Sequence, residues 1–160
     1  MKNLIVFYSY TQNTKKVASE IQKILSCDIV ELFPEKPFSN DYDAVVNKWQ
    51  NNSIKDEVEI KPIEKNLEEY DNIIFGSPIW WYTITPVVTT FLKKYDLSGK
   101  NIYPFFTSAG WFGHCEVDLK KLCKNSNIKK SLCVTFDEDY SLHKIVSNEK
   151  EISDFAKNIK

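Results

Sequence analysis

Three short segments carry the polar and aromatic side chains that could bind a ligand, and each follows a run of apolar residues. The first segment, residues 9–14 (Ser-Tyr-Thr-Gln-Asn-Thr), places the aliphatic hydroxyls of one Ser and two Thr, together with the Asn amide, in front of a stretch with helical periodicity. The first turn of a helix offers free N–H groups and the positive end of the helix dipole. The segment therefore predicts a site for an anion such as a phosphate monoester, with no need for Lys or Arg. The alternative is that Asn13 or Thr14 only caps the helix. Capping alone would explain one of the polar residues in the segment.

Other phosphate sites are excluded by their signatures. Neither G-x-x-x-x-G-K-[ST] nor G-x-G-x-x-G occurs, and the chain contains only 4 Gly. A phosphoacceptor domain needs a carboxylate at the ends of the first and third strands, where this chain has Tyr8-Ser9 and Gly76-Ser77.

The second and third segments supply flat apolar walls and an accessible backbone. Residues 77–83 include Trp80, Trp81 and Tyr82 in a row, and three large aromatics in a loop cannot all point into a core. At least one is expected to cover a flat ligand, although either Trp alone could equally pack on the helix beneath. Residues 107–113 include Gly110 and Gly113, which let a backbone approach a ligand or simply make a turn. Together the three segments predict a site for a phosphorylated planar aromatic molecule.

These segments need a parallel sheet to bring them to one edge. Five short apolar runs read as strands: 4–8, 29–33, 73–75, 102–106 and 132–136. Apolar stripes at helical spacing lie between them, beginning at Val17, Val87, Leu119 and Ile152, and a further helix is predicted over 42–50 within the long 34–66 connection. Alternating strands and helices predict an open doubly wound sheet, in which ligands bind beyond the carboxyl ends of the strands. Pro104 lies inside the fourth predicted strand, where it has no N–H to donate to a neighbouring strand. We therefore expect either that the strand starts at Pro104 or that a β-bulge lies there.

Composition narrows the class of protein. A chain of 160 residues with 42% hydrophobic residues suits one domain, residues 1–160. Its net charge of -1 and its lack of Arg argue against nucleic acid as a partner. The apolar runs are too short to span a bilayer. The 4 Cys form no C-x-x-C pair, and a metal site built from His114, Cys115 and Cys123 has the wrong spacing, so we expect a cytoplasmic protein with reduced thiols and no metal.

The three segments, taken in order, resemble the flavodoxin family. The motifs are Ser9-x-Thr11-x-Asn13-Thr14, Gly76-Ser77-Pro78-Ile79-Trp80-Trp81 and Thr107-Ser108-x-Gly110-x-x-Gly113, and the resemblance is closest to small bacterial flavodoxin-like proteins over essentially the whole chain. It implies an α/β fold: a single-domain, doubly wound, five-stranded parallel sheet of order 2-1-3-4-5 with helices on both faces. It also implies noncovalent binding of FMN.

The resemblance assigns a role to each motif residue. Side chains that hold the phosphate would be Ser9, Thr11, Asn13 and Thr14, with backbone help from Tyr10 and Gln12. Residues flanking the isoalloxazine ring would be Pro78, Ile79, Trp80 and Trp81. Residues meeting its pyrimidine edge would be Thr107, Ser108, Ala109, Gly110 and Gly113. The chain departs from the family pattern at Gln12, where Gly is usual, and at Tyr82, where Gly often follows the paired Trp.

Three classes of function fit such a protein. An aromatic, weakly hydrated binding site disfavours negative charge on a fully reduced flavin, which favours an electron carrier that works with a redox partner protein. The alternative is an FMN-dependent NAD(P)H:quinone oxidoreductase, in which Tyr82 or His114 could donate a proton. An interaction module without turnover is a third class. His114 and His143 are each interpreted as surface residues, and no catalytic residue is assigned.

Overall fold

The structure, a computed structural model, describes residues 1–51 and 58–159. The strands are β1 (Asn3–Phe7), β2 (Asp28–Glu31), β3 (Asn72–Trp80), β4 (Thr83–Ile84), β5 (Asn101–Ser108), β6 (Asn127–Ile128) and β7 (Leu132–Thr135). The helices are α1 (Asn13–Leu25), α2 (Tyr42–Asn51), α3 (Pro86–Lys94), α4 (Cys115–Leu122) and α5 (Lys150–Lys157). Single 3₁₀ turns lie at Leu67–Glu69 and Tyr140–Leu142.

The described strands form one sheet with the predicted order. The strands pair as β2-β1-β3-β5-β6, all in parallel, and β7 also pairs in parallel with β5. Because β6 pairs with residues 101–102 and β7 with residues 105–108, they are two parts of one outer strand. If β5 is counted as the fourth strand, and β6 with β7 as the fifth, the predicted order 2-1-3-4-5 is confirmed. The sheet has 7 strands because the outer strand is interrupted and β3 folds back into antiparallel β4.

Helices cover both faces of this sheet, as predicted. Leu4 and Val6 of β1 belong to the core cluster that includes residues of α3 and α4, whereas Ile5 and Phe7 belong to the cluster that includes α1 and α5. Burial on both faces explains why the strands read as continuous apolar runs. Ile24, part of the predicted apolar stripe of α1, is exposed instead.

The expectation for Pro104 is wrong, since β5 neither starts there nor bulges. The pairing of β5 with β3 continues in register from Asn101 through Pro104 to Thr107. Peptide groups alternate sides along a strand, and the carbonyl of Ile102 accepts from Lys129 of the outer strand. Pro104 therefore turns its missing N–H toward the outer strand, where pairing is interrupted between β6 and β7.

The long connection between β2 and β3 contains the predicted helix as α2, whose Val45 and Trp49 are buried. Before it, Phe38 packs edge-on between Trp49 and Trp80, with ring centroids 5.8 and 5.3 Å away. Part of the connection, residues 52–57, lies outside the described residues. The aromatic contacts place α2 beside the end of β3.

The four cysteines are free thiols, and two of them are deeply buried. Desolvation raises the pKa of Cys115 to about 12 and that of Cys123 to about 11. Among the described helices, none is long and apolar enough to cross a membrane.

The raised pKa values of the two buried thiols predict that they react slowly with thiol reagents in the folded state. Cys115 and Cys123 should react with a thiol reagent at pH 8 far more slowly in buffer than in urea, because the thiolate is the reactive form and burial suppresses it. Mass spectrometry after timed labelling measures each site. Equal labelling rates in buffer and urea would contradict the packing around α4.

Candidate functional site

The first segment forms the turn between β1 and α1, and its structure argues against a capping role for Asn13 and Thr14. Gln12 has a left-handed φ of 73° and makes no side-chain cap, and α1 begins at Asn13. Asn13 and Thr14 therefore lie inside the helix. Ser9 accepts the N–H of Lys15 through its Oγ at 3.1 Å. Within residues 1–51 and 58–159, the backbone N–H groups of residues 11–14 donate to no protein acceptor.

Hydroxyl groups join the first and third segments beneath this turn. The Oγ1 atoms of Thr14 and Thr107 lie 2.8 Å apart, and both residues are almost fully buried. The contact fixes the start of α1 against the carboxyl end of β5. Two of the three predicted segments thus meet as the sheet order requires.

The second segment is not the loop that the sequence predicts. β3 continues through Pro78 and Ile79 to Trp80 and pairs back with β4 as a hairpin. Its two turn residues, Trp81 and Tyr82, have φ values of 47° and 68°. Two successive positive φ values match the twist of a tight hairpin, yet they are strained for bulky side chains.

The third segment holds this strained hairpin in place. The carbonyl of Tyr82 accepts the N–H of His114 at 2.8 Å, and a Cβ added to Gly113 would lie 2.2 Å from that carbonyl oxygen. Thr83 donates its hydroxyl to the Oδ2 of Asp118, which also lies 2.6 Å from Nδ1 of His114. We call these contacts the hairpin clamp. His114 therefore belongs to it and is not an unattached surface histidine.

The aromatic residues divide between the core and the surface. Trp80 is half-buried and packs edge-on against Tyr8 and Tyr10, with centroids 6.0 and 5.5 Å away. The turn exposes Trp81 and Tyr82, by 39% and 51%. Trp111 in the third segment is more exposed still and lies 5.9 Å from the ring of Tyr82.

A cavity of about 120 Å³ brings the three segments together at the carboxyl edge of the sheet. The predicted residues that border it are Tyr10, Thr11, Asn13, Pro78, Ile79, Trp80, Thr107, Ser108 and Ala109. A second cavity of about 270 Å³, apolar in character, shares Tyr10, Ile79 and Trp80 and extends to Trp81 and α2. We call the two adjoining cavities the slot. Predicted residues that border neither cavity are Ser9, Gln12, Thr14, Gly110 and Gly113.

The sequence analysis did not identify some of the residues that line the slot. Phe136, Asp137, Glu138 and Tyr140 border the smaller cavity and directly follow β7, so the rule that ligand sites lie beyond strand ends could have found them. Tyr42 of α2 borders both cavities, and no local signal marks it.

The family model for flavodoxin matches residues 2–148 of this chain. The chain belongs to the flavodoxin family. Its resemblance to that family, inferred from the three motifs, is therefore confirmed. No curated protein matches the chain by sequence.

Solved structures agree with the flavodoxin fold. A protein from Bacteroides eggerthii DSM 20697 is 26% identical with a TM-score of 0.77, covering 98% of this chain and 96% of that one. A flavoprotein from Lactobacillus acidophilus NCFM, solved in complex with FMN, is 27% identical with a TM-score of 0.65, covering 82% of this chain and 92% of its own. Oxidised Flavodoxin 1 from Bacillus cereus shares the fold at 17% identity, with a TM-score of 0.60 and full coverage of both chains.

The turn between β1 and α1 is strained at Gln12, where the resemblance leads us to expect Gly. Gln12 adopts the left-handed conformation that favours Gly, so the turn forms at a cost in strain. His143, interpreted from the sequence as a surface residue, helps to support the turn: its Nδ1 lies 2.8 Å from Oδ1 of Asn13.

The slot is electrostatically unusual for an anion site because none of the described residues in its walls is a lysine. The charged residues among them are Asp137 and Glu138. The nearby Lys15 pairs with Glu31 at 2.9 Å, and Lys16 donates to the carbonyl of His143. Burial is the main cause that raises the pKa of Tyr10, which keeps its phenol neutral as it donates to the carbonyl of Ser39.

The hairpin clamp predicts a stability difference between two glycine variants. Gly113→Ala should lower the free energy of unfolding by about 2 kcal/mol or more beyond Gly99→Ala, because the added methyl meets the Tyr82 backbone. Gly99 is the matched control: it also has positive φ, but nothing lies within 4 Å of its added Cβ. Urea unfolding monitored by Trp fluorescence measures both. Equal losses would show that Gly113 does not hold the hairpin.

Proposed function

We propose that residues 1–160 form one FMN-binding domain that carries electrons through a noncovalently bound flavin in the cytoplasm. The observation that carries this proposal is the turn into α1, where the N–H groups of residues 11–14 have no acceptor among the described residues and lie beside an aromatic slot. The similarity to the Lactobacillus flavoprotein solved with FMN supports the choice of ligand.

The phosphate is proposed to bind at the first turn of α1. Side chains assigned to it are Ser9, Thr11, Asn13 and Thr14, with the backbone of Tyr10 and Gln12. A dianionic ester accepts several N–H bonds there, and the positive end of the helix dipole stabilises it without a cation. The lysines of this turn have other partners, which is consistent with that assignment.

The isoalloxazine ring is proposed to lie between the second and third segments. Pro78, Ile79, Trp80 and Trp81 would flank the ring, and Thr107, Ser108, Ala109, Gly110 and Gly113 would meet its pyrimidine edge. Gly113 would do so through its backbone alone, since a Cβ there would meet the backbone of Tyr82. A bound flavin supplies reversible one- and two-electron transfer.

The charges around the slot favour a carrier. Carboxylates at Asp137 and Glu138 and apolar aromatic walls make added negative charge on a reduced flavin costly, which separates its two reduction steps. A redox partner protein would then exchange single electrons with it.

The alternative is an FMN-dependent NAD(P)H:quinone oxidoreductase. The apolar cavity of about 270 Å³ favours it, because uncharged walls next to Trp80 and Trp81 suit a neutral planar acceptor. His114 borders neither cavity of the slot, and its Nδ1 contacts Asp118 in the hairpin clamp.

Removing a hydroxyl tests the phosphate assignment. Thr11→Ala and Thr14→Ala should each weaken FMN binding by about 1.5–3 kcal/mol, because each hydroxyl would bond a charged phosphate. Flavin fluorescence quenching on titration of the apoprotein measures the Kd. The matched controls Thr11→Ser and Thr14→Ser keep the hydroxyl and should bind close to wild type. Unchanged affinity in both alanine variants would contradict the assignment.

Stepwise reduction and an NAD(P)H oxidation assay distinguish an electron carrier from an NAD(P)H:quinone oxidoreductase. Stepwise photoreduction of the FMN-loaded protein should proceed in two resolved one-electron steps, and NAD(P)H should oxidise no faster with the protein and a soluble quinone than without the protein. Absorbance at the flavin and nicotinamide bands records both. Rapid NAD(P)H-dependent quinone reduction would replace the carrier with the oxidoreductase.

A further inference from the structure

Two tyrosines from distant parts of the chain stack on each other above the slot. The rings of Tyr42 and Tyr140 have centroids 4.6 Å apart and planes inclined by 18°. Tyr42 is the first residue of α2, in the connection between β2 and β3, and Tyr140 begins the 3₁₀ turn after β7. The pair therefore bridges segments from opposite sides of the central strands.

Both rings border the smaller cavity and are partly exposed to solvent. Each tyrosine borders the cavity together with Thr11, Asn13 and Thr107. Tyr42 is 40% exposed and Tyr140 is 41% exposed, so each also faces water. The stacked pair therefore lies beside the turn where the phosphate is proposed to bind.

The backbones that carry the two rings are anchored by hydrogen bonds, and the ring of Tyr42 also stacks on Tyr10, with centroids 6.4 Å apart. Asp41 accepts the N–H groups of Asp43 and Ala44 through Oδ1, and Asp139 likewise accepts the N–H of Ser141. Each tyrosine thus follows an Asp that fixes the start of its helical turn. Rotation of the side chains separates the rings without breaking these hydrogen bonds.

We propose that Tyr42 and Tyr140 form an aromatic gate that must open for FMN to enter or leave the slot. The inference rests on the proposed binding of FMN and adds to it a control over how quickly the flavin exchanges. The two rings border the cavity where the three polar segments converge.

A gate and a simple wall contact differ in their kinetics. A closed gate slows association and dissociation alike, whereas a contact made only with bound FMN slows dissociation alone. Tyr140→Ala should therefore speed both rates by about 2- to 10-fold, the factor that one aromatic pair contributes, with a smaller change in Kd. Stopped-flow quenching of FMN fluorescence gives the association rate, and the recovery of FMN fluorescence after rapid dilution of the complex gives the dissociation rate.

Two variants control for loss of the hydroxyl and for disturbance of the turn. Tyr140→Phe keeps the stacked ring and should exchange FMN at the wild-type rates. Leu142→Ala lies in the same 3₁₀ turn, is 59% exposed, and should also leave both rates unchanged.

The double variant tests whether the two rings act as one unit. Tyr42→Ala with Tyr140→Ala should exchange FMN no faster than the faster single variant, because either substitution alone removes the stack. In the apoprotein, the near-ultraviolet circular dichroism of the stacked pair should disappear in either single variant.

Unchanged exchange rates, an effect on dissociation alone, or multiplied effects in the double variant would each overturn the gate. Those results differ from failure of the proposed function, which would appear as a wild-type protein that binds no FMN.

Discussion

The first turn of α1 is the constraint on which the site depends. A helix that starts without a side-chain cap leaves N–H groups unpaired, and here those of residues 11–14 have no protein acceptor within the described chain. Unpaired donors at the edge of a buried core are costly unless water or a ligand satisfies them. The hydroxyls of Ser9 and Thr14 also make contacts within the protein: among the described residues Ser9 accepts only the N–H of Lys15, and Thr14 contacts Thr107. An anion is the partner that this arrangement favours most, since it satisfies several donors at once.

The rest of the slot depends on holding a strained hairpin still. Trp81 and Tyr82 adopt positive φ values that cost energy, and the hairpin clamp offsets that cost with contacts from Gly113, His114 and Asp118. Because the same contacts tie the second segment to the third, the two proposed walls of the flavin site are positioned together. Strain of this kind persists only where the surroundings determine the conformation.

The fold and the location of the site could be predicted from local patterns. Apolar runs and helical stripes reveal strands and helices, and the rule that ligands bind beyond parallel strand ends places residues 9–14, 77–83 and 107–113 on one edge. The predictions were wrong where the geometry of a segment depends on partners that are distant in sequence. The extension of β3 through Trp80 needs β4 to pair with it, and Pro104 is tolerated only because the outer strand is interrupted beside it. Tyr42 carries no signal of its own, because its position comes from how the long connection folds over the sheet.

The central claim is that the start of α1 binds the phosphate of a flavin, and comparing FMN with riboflavin tests it most directly. The two ligands share the ring and the ribityl chain and differ only in the phosphate. The account predicts that the apoprotein binds FMN at least about 100-fold more tightly than riboflavin, since two charge-assisted hydrogen bonds alone contribute about 3 kcal/mol. Equal affinities in the same titration would contradict it.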